Sequence, residues 1–156
     1  MLLLHKKGGK YMKYMGIIVA MDEEMMEIRK KMQDVEVIEI YNLRFVKGKI
    51  KNRNCILVKS GIGKVNAART TQVLVSNFEI ECVINVGVAG AVDVLLNIGD
   101  VVIAKYVVQH DFDITAFGHS KGYITGVGDK VICNTDIVSK IEKILKEKMK
   151  ENILLS

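Results

Sequence analysis

At 156 residues, with 49% hydrophobic and 26% charged side chains, the chain is long enough to bury a core as one globular domain. It has no run of 18 apolar residues, which excludes a membrane-spanning helix. The net charge of +5 does not mark a nucleic-acid partner: residues 1–14 carry four Lys and no acid, residues 139–156 carry five Lys and three Glu, and the body between them is close to neutral. A nucleic-acid binder needs a basic stripe on a folded face.

Taken from the N-terminus, the stretch Met1-Leu-Leu-Leu-His-Lys-Lys-Gly-Gly-Lys10 is too short in its apolar part for a signal peptide, and its charge follows that part. Met12 and Met15 stand just before the first apolar strand. Residues 1–14 are therefore expected to be a disordered extension or the product of an early start codon, and residues 15–156 the domain. The cysteines, Cys55, Cys82 and Cys133, are odd in number, far apart and without CxxC spacing, which fits a reducing cytoplasm.

Ile17–Ala20 reads as a buried strand. Asp22–Met32 reads as a helix, with acids in its first turn and Arg29, Lys30 and Lys31 in its last, the order the helix dipole favours. Val35–Ile40, Leu43–Ile50 and Cys55–Lys59 read as strands separated by the polar turns Tyr41-Asn42 and Lys51-Asn-Arg-Asn54. Residues Gly63 to Phe78 form a helix by the spacing of Val65, Ala68, Val73, Leu74 and Phe78. Val83–Val86 is a second buried strand and Val101–Val108 a long one; residues 111–130 are glycine-rich loop. Thr135–Met149 is an amphipathic helix, and Asn152–Ser156 begins another strand. Strands alternate with helices, so the class is α/β with a mixed sheet.

Three segments share one design, an apolar strand running into a glycine-rich or acidic turn. They are Gly16-Ile-Ile-Val-Ala-Met-Asp-Glu-Glu24, Val58-Lys-Ser-Gly-Ile-Gly-Lys64 and Val83-Ile-Asn-Val-Gly-Val-Ala-Gly90. Parallel strands end at one edge, and open α/β folds bind ligands in the crevice there. Asp22-Glu23-Glu24 is explained either by the helix dipole alone or by one carboxylate facing the crevice as a general base. The second role asks for apolar surroundings that lift its pKa toward working pH. Ser60-Gly-Ile-Gly-Lys64 offers helix N-terminal N–H groups but is not a Walker A loop. His110-Asp111-Phe-Asp113 has metal-ligand residue types, yet a site needs three or four partners, and no metal is expected.

The order of the motifs is more specific than any one of them. Gly16 to Glu24, Lys59-Ser-Gly-Ile-Gly-Lys-Val-Asn-Ala-Ala68, Ile84-Asn-Val-Gly-Val-Ala-Gly90, Gly99-Asp-Val-Val102 and His110 to Gly118 together resemble the 5′-methylthioadenosine/S-adenosylhomocysteine nucleosidase family, collinearly from about Met15 to Gly126. The resemblance implies a nucleoside phosphorylase-like α/β fold, a mixed sheet flanked by helices. It also implies a cytoplasmic homodimer, an adenine nucleoside substrate, no cofactor, and hydrolysis of the adenine–ribose bond. Such hydrolysis needs a base for water and an acid for the leaving purine, as in an inverting glycosidase.

By position, Glu24 matches the water-activating glutamate, with Ala20 and Met21 beside it. Ile62 would touch the 5′-thio group, and Val88, Ala89 and Gly90 would flank ribose and purine. Ile114 and Phe117 would close the partner's 5′-pocket. Val88 stands where many relatives carry Ser, and Thr125 where some carry Pro. In the family the chain continues with a Gly-Asp-Phe-like purine loop, a Met-Glu ribose clamp and a Ser-Asp acid pair; none of these follows the matched motifs here, so a C-terminally truncated fold is expected. Loss of an acid alone removes a factor of about 10² to 10⁴ in rate, which implies weak or absent activity. An exposed sheet edge and apolar face would favour self-association. Two alternatives stand beside this reading. One is a phosphorylase or other purine-nucleoside hydrolase, for which Arg44, Arg53 and Arg69 are the only phosphate candidates; the other is a non-catalytic dimerisation module or gene remnant.

Overall fold

The structure, a computed structural model, describes residues 12–148 and 153–155. They fall into two compact units, one up to Gly90 and one from Ala91. The first contains β1 (Tyr14–Val19), α1 (Asp22–Lys30), β2 (Gln33–Ile40), β3 (Leu43–Ile50), β4 (Arg53–Lys59), α2 (Lys64–Asn77) and β5 (Ile80–Asn85). β1 begins at the last residue of the expected extension, whose residues 1–11 lie outside those described.

The strands form one sheet in the order β2-β3-β4-β1-β5. β4 and β5 flank β1 in parallel, while β2, β3 and β4 pair antiparallel, so the sheet is mixed as expected. Tyr41 and Asn42 join β2 to β3 with φ of 51° and 62°. Two positive φ angles are what a two-residue hairpin of type I′ requires.

Successive strand residues face opposite sides. Ile17 and Val19 therefore join Val46, Cys55 and Leu57 on one side, where Met25 and Ile28 of α1 pack. Ile18 joins Phe45, Ile56 and Val58 on the other, under Leu74 of α2. Burial on both faces explains why β1 and β4 read as unbroken apolar runs. Gly16 lets α2 press onto β1, because a Cβ there would stand 2.7 Å from Leu74 Cδ2.

β5 departs from expectation. It begins at Ile80 rather than Val83, and it is not buried: Val83 and the following Val86 are each 41% exposed. The reason is its place in the sheet. β5 pairs with β1 on one side and is, with β2 at the other end, an edge strand among the described residues.

The second unit contains β6 (Val101–Ile103), β7 (Tyr106–Val107), a 3-10 turn (Thr115–Phe117), β8 (Val131–Ile132), α3 (Thr135–Lys148) and β9 (Ile153–Leu155). The long strand expected at 101–108 is broken at Ala104-Lys105, because its halves take different partners. β6 pairs in parallel with β9, and β7 pairs antiparallel with β8. The Lys105 carbonyl, freed from the first ladder, accepts from the Cys133 N–H at 2.9 Å. α3 falls where its periodicity predicts. Its start is fixed by Asn134, whose Oδ1 accepts from the Ile137 N–H at 3.0 Å as an N-cap. No helix among the described residues is long and apolar enough to cross a membrane.

Candidate active site at the strand ends

The register confirms that the three turns leave the sheet at one edge. Val19 of β1 lies opposite Lys59 of β4, and Ile18 lies opposite Asn85 of β5. Two further bonds extend these ladders past the strand ends. Ser60 N–H donates to the Val19 carbonyl at 2.8 Å, and Val86 N–H donates to the Ile18 carbonyl at 3.0 Å.

Beyond Val19 the chain turns into α1, and Glu24 in its first turn folds back over the strand end. Its Oε2 accepts from the N–H groups of Ala20 at 2.7 Å and Met21 at 3.1 Å. Its Oε1 accepts from the Val88 N–H at 2.9 Å, across 64 residues of sequence. One carboxylate thus joins the ends of β1 and β5. A carboxylate oxygen accepts about two hydrogen bonds, so Oε1 retains acceptor capacity for a water or a hydroxyl.

These bonds determine the ionisation. The Val88 N–H contributes most, and the Ala20 N–H next, to holding the Glu24 carboxyl below its ordinary value; burial opposes them, and the Met21 N–H adds a smaller push downward. The expected upward shift toward working pH is therefore overturned. Donors aimed at the charged form outweigh desolvation. Glu24 is a firm carboxylate that can orient a water, rather than a base poised near neutrality.

Val88 acts here through its main chain, while its side chain is 78% exposed. Valine in place of serine leaves this N–H unchanged. Ile62, 74% exposed, stands on the turn after β4 between Gly61 and Gly63, both at positive φ. Ala89 and Gly90 continue from Val88 as exposed loop. Ile114 and Phe117 belong to the second unit, where Ile114 caps the 3-10 turn and Phe117 is exposed.

The sequence places Gly87 in a turn of small residues, where it would allow close packing of a ligand, but does not tie it to Glu24. A Cβ there would stand 2.7 Å from Glu24 Oε1 and 3.2 Å from its Cδ. One local signal was present: Glu24 follows Met21 by three residues, the spacing at which a glutamate reaches back to the helix N-cap, though no local pattern ties Gly87 to it.

Of the phosphate candidates, Arg53 starts β4 at the far edge and pairs with Glu81 at 3.4 Å. Arg44 lies near the crevice edge on β3, and Arg69 of α2 donates to the Tyr41 carbonyl. Among the described residues no three His, Cys, Asp or Glu converge as a metal set. His119 stacks on Tyr123 with ring centroids 4.1 Å apart.

Residues 14–153 match the phosphorylase superfamily, and the chain belongs to it. Within it the partial match is to the 5′-methylthioadenosine/S-adenosylhomocysteine nucleosidase family, and the fold is that of the nucleoside phosphorylases. The nucleosidase of Staphylococcus carnosus is 41% identical over 132 residues, covering 85% of this chain and 58% of the relative. The Neisseria meningitidis nucleosidase, solved with methylthio-immucillin-A, superposes with a TM-score of 0.88 at 28% identity, covering 92% of this chain and 62% of that one. The Colwellia psychrerythraea nucleosidase, solved with adenine, gives 0.87 at 32% identity, covering 94% and 60%. The chain thus spans about 58% of the length of the curated relative it matches.

Proposed function

We propose that this chain carries the water-activating part of a nucleosidase that hydrolyses the adenine–ribose bond of methylthioadenosine and S-adenosylhomocysteine. The observation that carries the reading is the Glu24 carboxylate, held by three N–H groups at the shared end of β1 and β5. The departing purine leaves an oxocarbenium-like sugar. An ionised, positioned carboxylate stabilises the developing charge on attacking water and receives its proton as the bond forms. In this reading Ala20, Met21, Val88, Ala89 and Gly90 border the nucleoside, and Ile62 meets the 5′-substituent. Ile114 and Phe117 serve the pocket of a second copy in a cytoplasmic homodimer. No cofactor enters the reaction.

The acid and purine-loop motifs do not occur in these 156 residues, and the one Met-Glu pair, Met26-Glu27, lies in α1 rather than after the matched motifs. The reading therefore expects weak or no turnover from the chain alone. The test is adenine release from methylthioadenosine by the purified chain, with Glu24→Gln as control. Turnover lost in the control assigns the water to Glu24 and requires an acid from residues outside the motifs named here. Turnover unchanged in the control removes Glu24 from the mechanism. Turnover that depends on inorganic phosphate moves the reaction to phosphorolysis. A chain that binds neither adenine nor the substrate supports a non-catalytic module.

A further inference from the structure

We infer that Gly87 is a positioning residue for Glu24: the absent side chain at 87 is the space in which the carboxylate sits to take the Val88 N–H. This rests on the proposed role of Glu24 but is argued from steric geometry. Glycines commonly persist because the backbone needs a positive φ. Gly87 is not among the positive-φ positions, unlike Gly61, Gly63 and Gly99, so its backbone conformation does not itself demand glycine. Close backbone packing is the other common reason, as at Gly48, where a Cβ would meet the Gln33 carbonyl oxygen at 2.8 Å. At Gly87 the three nearest atoms to a Cβ are all of the Glu24 carboxylate: Oε1 at 2.7 Å, Cδ at 3.2 Å and Oε2 at 3.5 Å. Gly90, three residues on, would meet nothing within 4 Å. The requirement for glycine at 87 therefore comes from one functional group, and Gly87, Val88 and Glu24 act as a unit.

A Cβ at 87 has two outcomes. Either the carboxylate moves off Oε1's bond to Val88, or the 87–88 peptide moves away from it. Both lengthen the same bond, the largest influence on Glu24's ionisation. The groups that set that ionisation are backbone N–H groups and burial, with no side-chain charge among them. A change in titration thus reports the cradle itself.

The experiment uses the intact 156-residue chain with ¹³C-labelled glutamate. The Glu24 carboxyl resonance, assigned by its loss in Glu24→Gln, is titrated in the parent and in Gly87→Ala. The expected result is a Glu24 pKa that rises in Gly87→Ala toward the ordinary glutamate value. An unchanged titration in folded Gly87→Ala overturns the inference. Stability supplies a second arm. Alanine at a permitted glycine conformation normally stabilises, so a lowered urea midpoint in Gly87→Ala that is abolished in the Glu24→Ala background assigns the loss to the carboxylate. An equal loss in both backgrounds overturns the inference, and does so even where Gly87→Ala titrates poorly. Neither readout uses turnover, so failure of the nucleosidase reading and failure of this inference are separately visible.

Discussion

Replacing Thr70 by valine should stabilise the protein. Thr70 lies on α2, one turn before Leu74, and both are fully buried. Its hydroxyl has no hydrogen-bond partner among the described residues. An unsatisfied buried hydroxyl costs about 1–3 kcal/mol in desolvation, whereas an apolar group of the same shape carries no such cost. Valine matches threonine in shape, and the two have nearly equal helix propensity, so the backbone contributes little to the difference. The expected gain is about 1–2 kcal/mol, or roughly 3–6 °C in Tm for a chain of this size. Urea denaturation followed by far-UV circular dichroism gives the same quantity as a higher midpoint at unchanged slope. Thr70→Ser, which keeps the hydroxyl and removes a methyl, should instead lose about 1 kcal/mol. A lowered midpoint for Thr70→Val would refute the reasoning, since it would show that the hydroxyl is engaged in the folded chain.

Four other outcomes follow from the same structure. Leu74→Ala should cost about 2–5 kcal/mol, read by the same denaturation, because it opens a cavity between α2 and the sheet. Asp22→Asn breaks the 2.7 Å pair with Lys59, but both side chains are well exposed, and the midpoint should move by less than about 1 kcal/mol. Glu24 has a folded pKa below its unfolded one, so its contribution to stability is present above the unfolded value and is lost as pH falls through the folded value. Glu24→Gln should flatten that acid limb in a pH series of unfolding midpoints, and an unchanged limb would argue against the three-donor cradle. The exposed edge strand should make the chain self-associate, and Val86→Lys should lower the sedimentation coefficient at a given concentration.

What was legible in the sequence depended on whether the deciding contacts were local. β1 and β4 were readable because burial on both faces leaves an unbroken apolar run in each. The common edge followed, since parallel strands that end in turns bring those turns together. β5 has a similar apolar run, yet its neighbours decide its burial, and among the described residues it has one in place of two. The break at Ala104-Lys105 was equally invisible, because every residue of β6 and β7 suits a strand and only the partners differ. At the site, the acidic turn marked Glu24, but the direction of its pKa did not follow from surrounding hydrophobicity. The strongest donor comes from Val88, far along the chain, and supplies a backbone group that no side-chain pattern records.

The position of β1 between β4 and β5 has a consequence for exchange with solvent. Slipping β1 by one residue would interchange Ile17 and Ile18 between the two cores and would also carry Glu24 away from the Val88 amide. The same displacement would break the bonds from Ser60 and Val86 to the β1 carbonyls. These two amides lie outside the strands, where rapid deuteration would ordinarily be expected. Each is the last rung of a ladder to the central strand, so both should exchange more slowly than the loop amides that follow them, with Val86, on the exposed edge side, the faster of the two.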